Sequence, residues 1–354
     1  MALRDLHAIQ SGTDQSLAGA AARLGLAALT PGYAAANAAR MAMFNAGLRK
    51  PTPLGRPTVS VGNLTAGGSG KTPMTVALGQ WLAQQGARPG VLTRGYGDDE
   101  THEMRALLGD AASVHANPKR VLGAQEALRS DPTLAAFVLD DGFQHRQAAR
   151  DVDLVLIDAL QPWGHGHLLP RGLLREPVSA LRRADAAIVT RADQVDEAAL
   201  QAIEDRVEQV APSLPLARTA FAWTELRDHQ GAVHPPESLA DLAVYGVCGL
   251  GNPLGFRRQL EAAAGNVAGF QALPDHHAYT PQDVGAFIAR AQAAGARAIV
   301  TTGKDWAKLA RLTPAQGWPM PVLRPVLGVR WLAGEDAVFG RLSAVLERPN
   351  AAPA

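Results

Sequence analysis

The chain has 354 residues, room for two to three domains at roughly 150 residues each, and two is the natural reading. With 47% hydrophobic and 19% charged residues, a disordered or collagen-like chain is excluded. A formal net charge of +1 gives no global case for nucleic-acid binding, and the single cysteine, Cys248, excludes an intrachain disulfide and any Cys-x-x-Cys metal site and fits a reducing interior.

Residues 1–56 read as an alanine-rich helical segment broken at Pro31-Gly32, with six basic residues against two acidic ones. The uncharged stretch between Arg23 and Arg40 holds Thr30, Pro31, Gly32 and Asn37 and falls short of the ~20 apolar residues of a spanning helix. The opening MALRDLHAIQ lacks the apolar core and cleavage site of a secretory signal. The segment is expected to stay inside the cell, offering Leu24, Leu26, Leu29, Tyr33, Met41 and Phe44 as apolar surface and Arg23, Arg40, Arg49 and Lys50 as basic groups.

From Thr58 short apolar runs alternate with helical stretches. TVSVGN, PGVLTRG, AAFVLDD, VDLVLIDA and DAAIVTRAD are strand-like, and TPMTVALGQWLAQQG is helix-like. That alternation predicts βα units and a mostly parallel sheet. Around PSLPLARTAFAWTELRD the texture changes, as at a domain joint. A second series follows, with LAVYGVCGLGNP, a helix from Pro253, a helix over 281–294 and the strand of ARAIVTTGKD. The expected division is a helical segment 1–56, a nucleotide-binding domain 57–215, linker strands 216–226 and 322–332, a smaller α/β domain 227–321, and a C-terminal helix and tail 333–354.

The strongest signal runs from Val59 to Pro73, a strand, a glycine-rich turn and a helix start. Phosphate groups need several backbone N–H donors converging from one loop beside a helix N-terminus. Gly67, Gly68, Ser69, Gly70, Lys71 and Thr72 supply that loop, with Lys71 reaching the β/γ-phosphates and Thr72 a candidate Mg²⁺ ligand. The motif departs from G-x-x-x-x-G-K-[ST] in carrying Thr65 where a glycine is usual. The fold class is therefore α/β, a P-loop nucleoside triphosphatase-like parallel sheet with a second, smaller α/β domain. A carboxylate at the end of a neighbouring buried strand should complete the metal site; Asp140-Asp141 of FVLDDG is the candidate, with Asp158 of VDLVLID as the rival. A different class stays in view: Thr190-Arg191-Ala192-Asp193 approaches the guanine-reading N/T-K-x-D of a GTPase, and His165, His167, His276 and His277 admit a metal-delivery switch.

The spaced motifs TRGYGDDE, DDGFQHR, GHGHLLPRGLLREP, GLGNP, PDHHAYT and TTGKD, with VGNLTAGGSGKTP, resemble the tetraacyldisaccharide 4′-kinase family of lipid A biosynthesis, in order from about residue 25 to about residue 335. The resemblance implies two α/β/α domains joined by a two-stranded linker. It implies ATP and Mg²⁺ as cofactors, and γ-phosphate transfer to the 4′-hydroxyl of a tetraacylated glucosamine disaccharide 1-phosphate, giving lipid IVA. It carries catalytic roles onto Lys71, Arg175, Asp99 and His276, metal roles onto Thr72, Asp140, Asp141 and Glu176, and substrate contacts onto Gln144, His145 and Arg171. Here RGYG runs straight into Asp98-Asp99-Glu100, without the family's proline, so Asp98 competes with Asp99 as base. Taken without the resemblance, DDETHEMRALL also reads as an ordinary helix with acidic residues in its first turn. A four-chain lipid acceptor implies peripheral attachment to the cytoplasmic face of the inner membrane, through the N-terminal segment, of a monomer that binds no nucleic acid.

Overall fold

Two helices open the chain, α1 (Leu3–Ser11) and α2 (Leu17–Asn45). Ser16 caps α2 by accepting the Gly19 N–H at 3.0 Å. Pro31 lies inside α2 and does not break it, contrary to the sequence expectation. The carbonyl that a proline at 31 leaves unpaired belongs to exposed Ala27, where water can serve it, and the Thr30 hydroxyl donates to Leu26 O one residue earlier.

The computed structural model describes residues 3–95, 98–250, 253–274 and 277–347, and the chain divides into two units, Met1–Phe221 with Val329–Ala354, and Ala222–Gly328. After α2, the first unit runs β1 (Thr58–Asn63), α3 (Lys71–Gln84), β2 (Pro89–Thr93), α4 (Asp98–Leu108), β3 (Ser113–Ala116), α5 (Arg120–Ser130), β4 (Ala136–Asp140), β5 (Val152–Asp158), β6 (Ala186–Thr190) and α6 (Glu197–Val210), and reaches β7 (Leu216–Arg227). Its strands are ordered β3-β2-β4-β1-β5-β6-β7, and every pair is parallel. All six residues of β1 and all five of β4 are buried, as expected of parallel strands with helices on both faces. One face packs Val59, Val61 and Val138 against Met74, Leu78 and Leu82 of α3. The other packs Val155, Ile157 and Val189 against Leu200, Ile203 and Val207 of α6.

The second unit takes the outer part of β7, then β8 (Val233–His234), β9 (Ala243–Cys248), α7 (Pro253–Ala263), β10 (Asn266–Ala272), α8 (Pro281–Ala293), β11 (Ala298–Thr301), α9 (Gly303–Leu309) and the start of β12 (Val322–Ala333). Within it β10-β9-β11-β12 is again parallel, while β8 pairs antiparallel with the end of β7. Val244, Cys248 and Val300 pack on Phe256 and Leu260 of α7; Tyr245, Val247 and Ile299 pack on Val284 and Phe287 of α8. From β12 the chain returns to the first unit and ends its described part in α10 (Glu335–Leu346), whose Val338, Leu342 and Val345 join the core beside Val59 and Leu154.

Candidate active site

The first unit's strand order reverses direction at β1, whose neighbours are β4 and β5, and crevices at the carboxyl ends of such strands are where α/β sheets bind ligands. Register puts Val61 opposite Asp140, so the residues that follow β1 and β4 leave the sheet side by side. Gly62 makes that crossing possible, because a Cβ there would lie 2.4 Å from Phe143 Cβ and 2.7 Å from Phe143 N.

Residues 64–66 bridge antiparallel to 173–175: Arg175 N donates to Leu64 O and Ala66 N to Leu173 O, both at 2.7 Å, with Thr65 opposite Leu174. This explains the missing glycine of the motif. Position 65 is buried in a paired segment with φ outside the left-handed region, and the turn falls to Gly67 (φ +127°) and Gly70 (φ +85°). Gly70 also lies under the Phe221 ring, whose Cζ would be 1.9 Å from an added Cβ. The end of β6 braces the loop from the other side, as Thr190 Oγ1 donates to Ser69 O at 3.1 Å and Arg191 Nη2 to Gly68 O at 2.9 Å.

Lys71, first residue of α3, places Nζ 3.4 Å from Asn63 Oδ1, 3.4 Å from Gly67 O and 3.7 Å from Asp141 Oδ1. Arg175 grips the same carboxylate, with Nη1 at 2.8 Å and 3.0 Å from its two oxygens and 3.4 Å from Gln144 Oε1. Asp141 thus sits between two cations, on a backbone with φ +50°. Asp140 is buried and accepts from the Thr75 hydroxyl at 3.2 Å and the Thr93 hydroxyl at 3.5 Å. Burial and then the neighbouring Asp141 charge push its carboxyl up to about 6, while Lys71 pulls the other way. Beneath it lies Arg120, 2% exposed, donating to Asp140 O at 3.1 Å and Asn117 O at 3.0 Å, its guanidinium lowered to about 10 chiefly by burial.

The remaining expected residues distribute as follows. Thr72 is half-buried in the first turn of α3. Gln144 donates to Asn63 O at 2.9 Å. His145 is held near 4 by burial and by Arg120, Arg150, Arg40 and Arg94, and is neutral at pH 7. Arg171 is turned to the N-terminal helices, its Nη1 on Gln10 O at 2.8 Å and its N–H on the Thr30 hydroxyl at 3.3 Å. Glu176 does not present a bare carboxylate: it is 1% exposed, and Arg183 Nη1 and Nη2 occupy its two oxygens at 2.6 and 2.9 Å. The rival Asp158 is bound by the Arg191 guanidinium and accepts from Leu160 N at 3.2 Å. Asp98 and Asp99 open α4, and His276 and Asp275 lie outside the described residues. Helix α2 reaches the site as well, since Tyr33 OH donates to Arg175 O at 2.9 Å and Arg40 donates to Gln144 O. Thr75, Arg120 and Arg183 escape a sequence reading because each is a lone residue on a helical segment, and Asn63 and Thr93, though inside the motifs, reach Lys71 and Asp140 only through the fold.

In the second unit the GLGNP and TTGKD motifs meet. Asp305, 1% exposed, accepts from Gly249 N at 3.0 Å and the Thr302 hydroxyl at 2.6 Å. His277 Nε2 lies 3.2 Å from Asp283, whose carboxylate also serves Thr280 in the capping box of α8. Among the described residues no group of three or more His, Cys, Asp or Glu side chains is arranged to hold a metal ion, and no helix is long and apolar enough to cross a membrane.

A glycine-rich turn at a helix N-terminus, a lysine and threonine opening that helix, and a buried aspartate on the adjacent parallel strand define a P-loop nucleoside triphosphatase-like protein. The profile of the tetraacyldisaccharide-1-P 4′-kinase family matches residues 22–335, and the chain belongs to that family. A tetraacyldisaccharide 4′-kinase of Anaeromyxobacter sp. (strain Fw109-5) is 37% identical over 353 residues, with 89% of this chain and 90% of that protein covered. The one from Pelobacter propionicus is 33% identical over 365 residues, covering 97% and 94%. A crystal structure of the "apo" form of LpxK from Aquifex aeolicus in complex with ATP superposes with a TM-score of 0.71 at 26% identity, over 92% of this chain and 99% of that one.

Proposed function

We infer that this chain transfers the γ-phosphate of ATP to the 4′-hydroxyl of a tetraacyldisaccharide 1-phosphate. The observation that carries the reading is the pairing of the Gly67–Thr72 loop with Asp140, Asp141 and Arg175 in a chain that matches the 4′-kinase family over 22–335. The GTPase alternative loses its main support, since Arg191 of the TRAD segment is engaged by Asp158 and Gly68.

The donor set suits Mg²⁺: oxygen ligands only, from Thr72, Asp140 and Asp141, two of them adjacent carboxylates at the end of β4. Bound there, the ion would neutralise charge on the β- and γ-phosphates. The chain's own residues supply the rest. Backbone N–H groups of the loop hold the phosphates, and Lys71 and Arg175, now on Asp141, are placed to exchange that carboxylate for phosphate oxygens as charge moves toward the β–γ bridge. Thr75, Thr93 and Arg120 fix Asp140. Asp99, assisted by His276, takes the proton of the attacking hydroxyl, and Gln144 and His145 line the acceptor's approach, while Arg171, engaged by Gln10 O, ties the N-terminal helices to that segment. Asp99→Ala is expected to lose about 10²- to 10⁴-fold in turnover with ATP binding retained, and Asp98→Ala much less; the reverse ranking moves the base to Asp98.

For a lipid acceptor the protein works at the cytoplasmic face of the inner membrane as a peripheral monomer. Support comes from Leu17, Leu24, Leu29 and Leu48, which are 91, 73, 64 and 79% exposed, beside exposed Arg49 and Lys50. Leu24→Glu with Leu29→Glu should reduce sedimentation with anionic liposomes; unchanged binding refutes the attachment. The reaction itself is tested with labelled ATP, or GTP, and the disaccharide monophosphate, followed by chromatography. A bisphosphorylated product from ATP is expected, and hydrolysis without transfer would refute the kinase reading.

A further inference from the structure

The loop that follows β4 is held by arginines from four parts of the chain. Asp140 O accepts from Arg120 at 3.1 Å, Gly142 O from Arg150 at 2.7 Å, Phe143 O from Arg183 at 3.2 Å, and Gln144 O from Arg40. Arg183 differs from the others in what it joins. Its guanidinium stacks 3.7 Å from the centre of the fully buried Phe143 ring while both its Nη atoms bind Glu176. The residue before Glu176 is Arg175, whose Nη1 holds both oxygens of Asp141. One half-buried ion pair, with the Arg183 bond to Phe143 O, therefore connects the loop carrying Asp140 and Asp141 with the segment carrying Arg175. With a separate guanidinium nitrogen on each oxygen and only 1% of its side chain exposed, against 21% for Asp141, the Glu176 carboxylate serves Arg183 rather than an incoming cation, and withdrawing it would leave Arg183 without its counter-charge.

We propose that Glu176 and Arg183 form a positioning pair that sets Arg175 against the phosphate-binding loop, and that Glu176 is not a metal ligand; this rests on the kinase reading above. Phosphoryl transfer depends mainly on the placement of charge. Breaking either half of the pair frees the 175–176 segment from the 142–144 loop, so Arg175 meets the transferring phosphoryl group less often in the productive geometry. The loss falls on turnover. Nucleotide capture by residues 67–72 and the cation requirement set by Thr72, Asp140 and Asp141 stay as they are.

The experiment compares wild type with Glu176→Gln, Arg183→Met, the double variant and Arg183→Lys in the disaccharide kinase assay, with ATP and Mg²⁺ titrated separately and ATP-binding stoichiometry measured by calorimetry. Expected are kcat losses of about 10- to 100-fold in each single variant, no further loss in the double variant, partial recovery in Arg183→Lys, and unchanged stoichiometry, KM for ATP and half-saturating Mg²⁺. Should a charge-removing variant fail to fold, Arg183→Lys keeps the charges paired but loses the two-pronged grip, and its kcat against its Mg²⁺ requirement carries the same test. A higher Mg²⁺ requirement in Glu176→Gln alone would overturn the proposal in favour of a metal ligand, and wild-type turnover in every variant would overturn it in favour of no role. Absence of transfer by wild type would refute the reaction and the pair's part in it, a result distinct from an active wild type with equally active variants.

Discussion

Gly70→Ala is the substitution whose effect the geometry of the phosphate loop defines most sharply. At φ +85° and ψ +26° an L-residue pays about 1–2 kcal/mol. The new methyl would also lie 1.9, 2.5 and 3.0 Å from three carbons of the Phe221 ring. The ring must move by about 1.5 Å to restore ordinary contact, and forcing such shifts in a packed region costs about 1–3 kcal/mol. Phe221 is 6% exposed and lies 5.5 Å from the Arg191 guanidinium, the group that holds Gly68 O, so a displaced ring disturbs the loop's brace as well. The expected outcome is destabilisation of about 2–5 kcal/mol with a large loss of nucleotide affinity, read by denaturant unfolding and calorimetric titration with ATP. Gly68→Ala is the control. Its φ is not in the left-handed region and nothing lies within 4 Å of its added Cβ, so its stability should match wild type within about 0.5 kcal/mol. Equal stability for the two variants, or wild-type ATP affinity in Gly70→Ala, would refute the argument.

His145, with its imidazole held near 4, folds neutral while the unfolded side chain titrates near 6.5, so it withdraws stability as pH falls from 6.5 through 4; His145→Gln should flatten the unfolding free energy over that window, and an unchanged slope would count against the burial. Cys248 is fully buried, and burial followed by the Asp305 charge pushes its thiol up to about 11, so native protein should resist alkylation at pH 8 until denaturant is added; rapid labelling would show the strand end to be open. Asp305→Ala leaves Gly249 N–H without its acceptor and the Thr302 hydroxyl without the carboxylate it donates to, at a cost of about 2–4 kcal/mol, which should appear as faster hydrogen exchange of the β9 and β11 amides with β1 and β4 unaffected.

How much of this was legible in the sequence follows the range of the interactions. The βα alternation and the parallel sheet could be read because runs such as TVSVGN and AAFVLD are buried on both faces and carry their own signal. The phosphate loop could be read because its parts are consecutive. Short β3 and half-exposed β10 could not, the one for lack of length and the other because NVAGFQA has neither alternation nor an unbroken apolar run. Thr75 and Thr93 reach Asp140 across 65 and 47 residues of chain, and Tyr33 reaches Arg175 across 142. No local spacing encodes contacts of that range. The departure at Thr65 looked like a defect of the motif, yet it becomes intelligible once its pairing with Leu174 is seen.

The nesting of residues 222–328 between the two parts of the first unit has a consequence for synthesis on the ribosome. Every strand and helix of the inserted unit is made before α10, so that unit can complete its core while the surrounding one still lacks a wall. Val338, Leu342 and Val345 are each at most 3% exposed. Burying them contributes about 1.5–3 kcal/mol apiece, in total on the scale of the ~5–15 kcal/mol by which a whole domain is stable. A nascent chain that has passed residue 328 therefore carries a finished inserted unit while the first unit's apolar face over Val59 and Leu154 is uncovered. Holding that face until residues 335–346 emerge is work for a chaperone, and the last helix acts as the closing element that turns a nucleotide-binding sheet into a stable one.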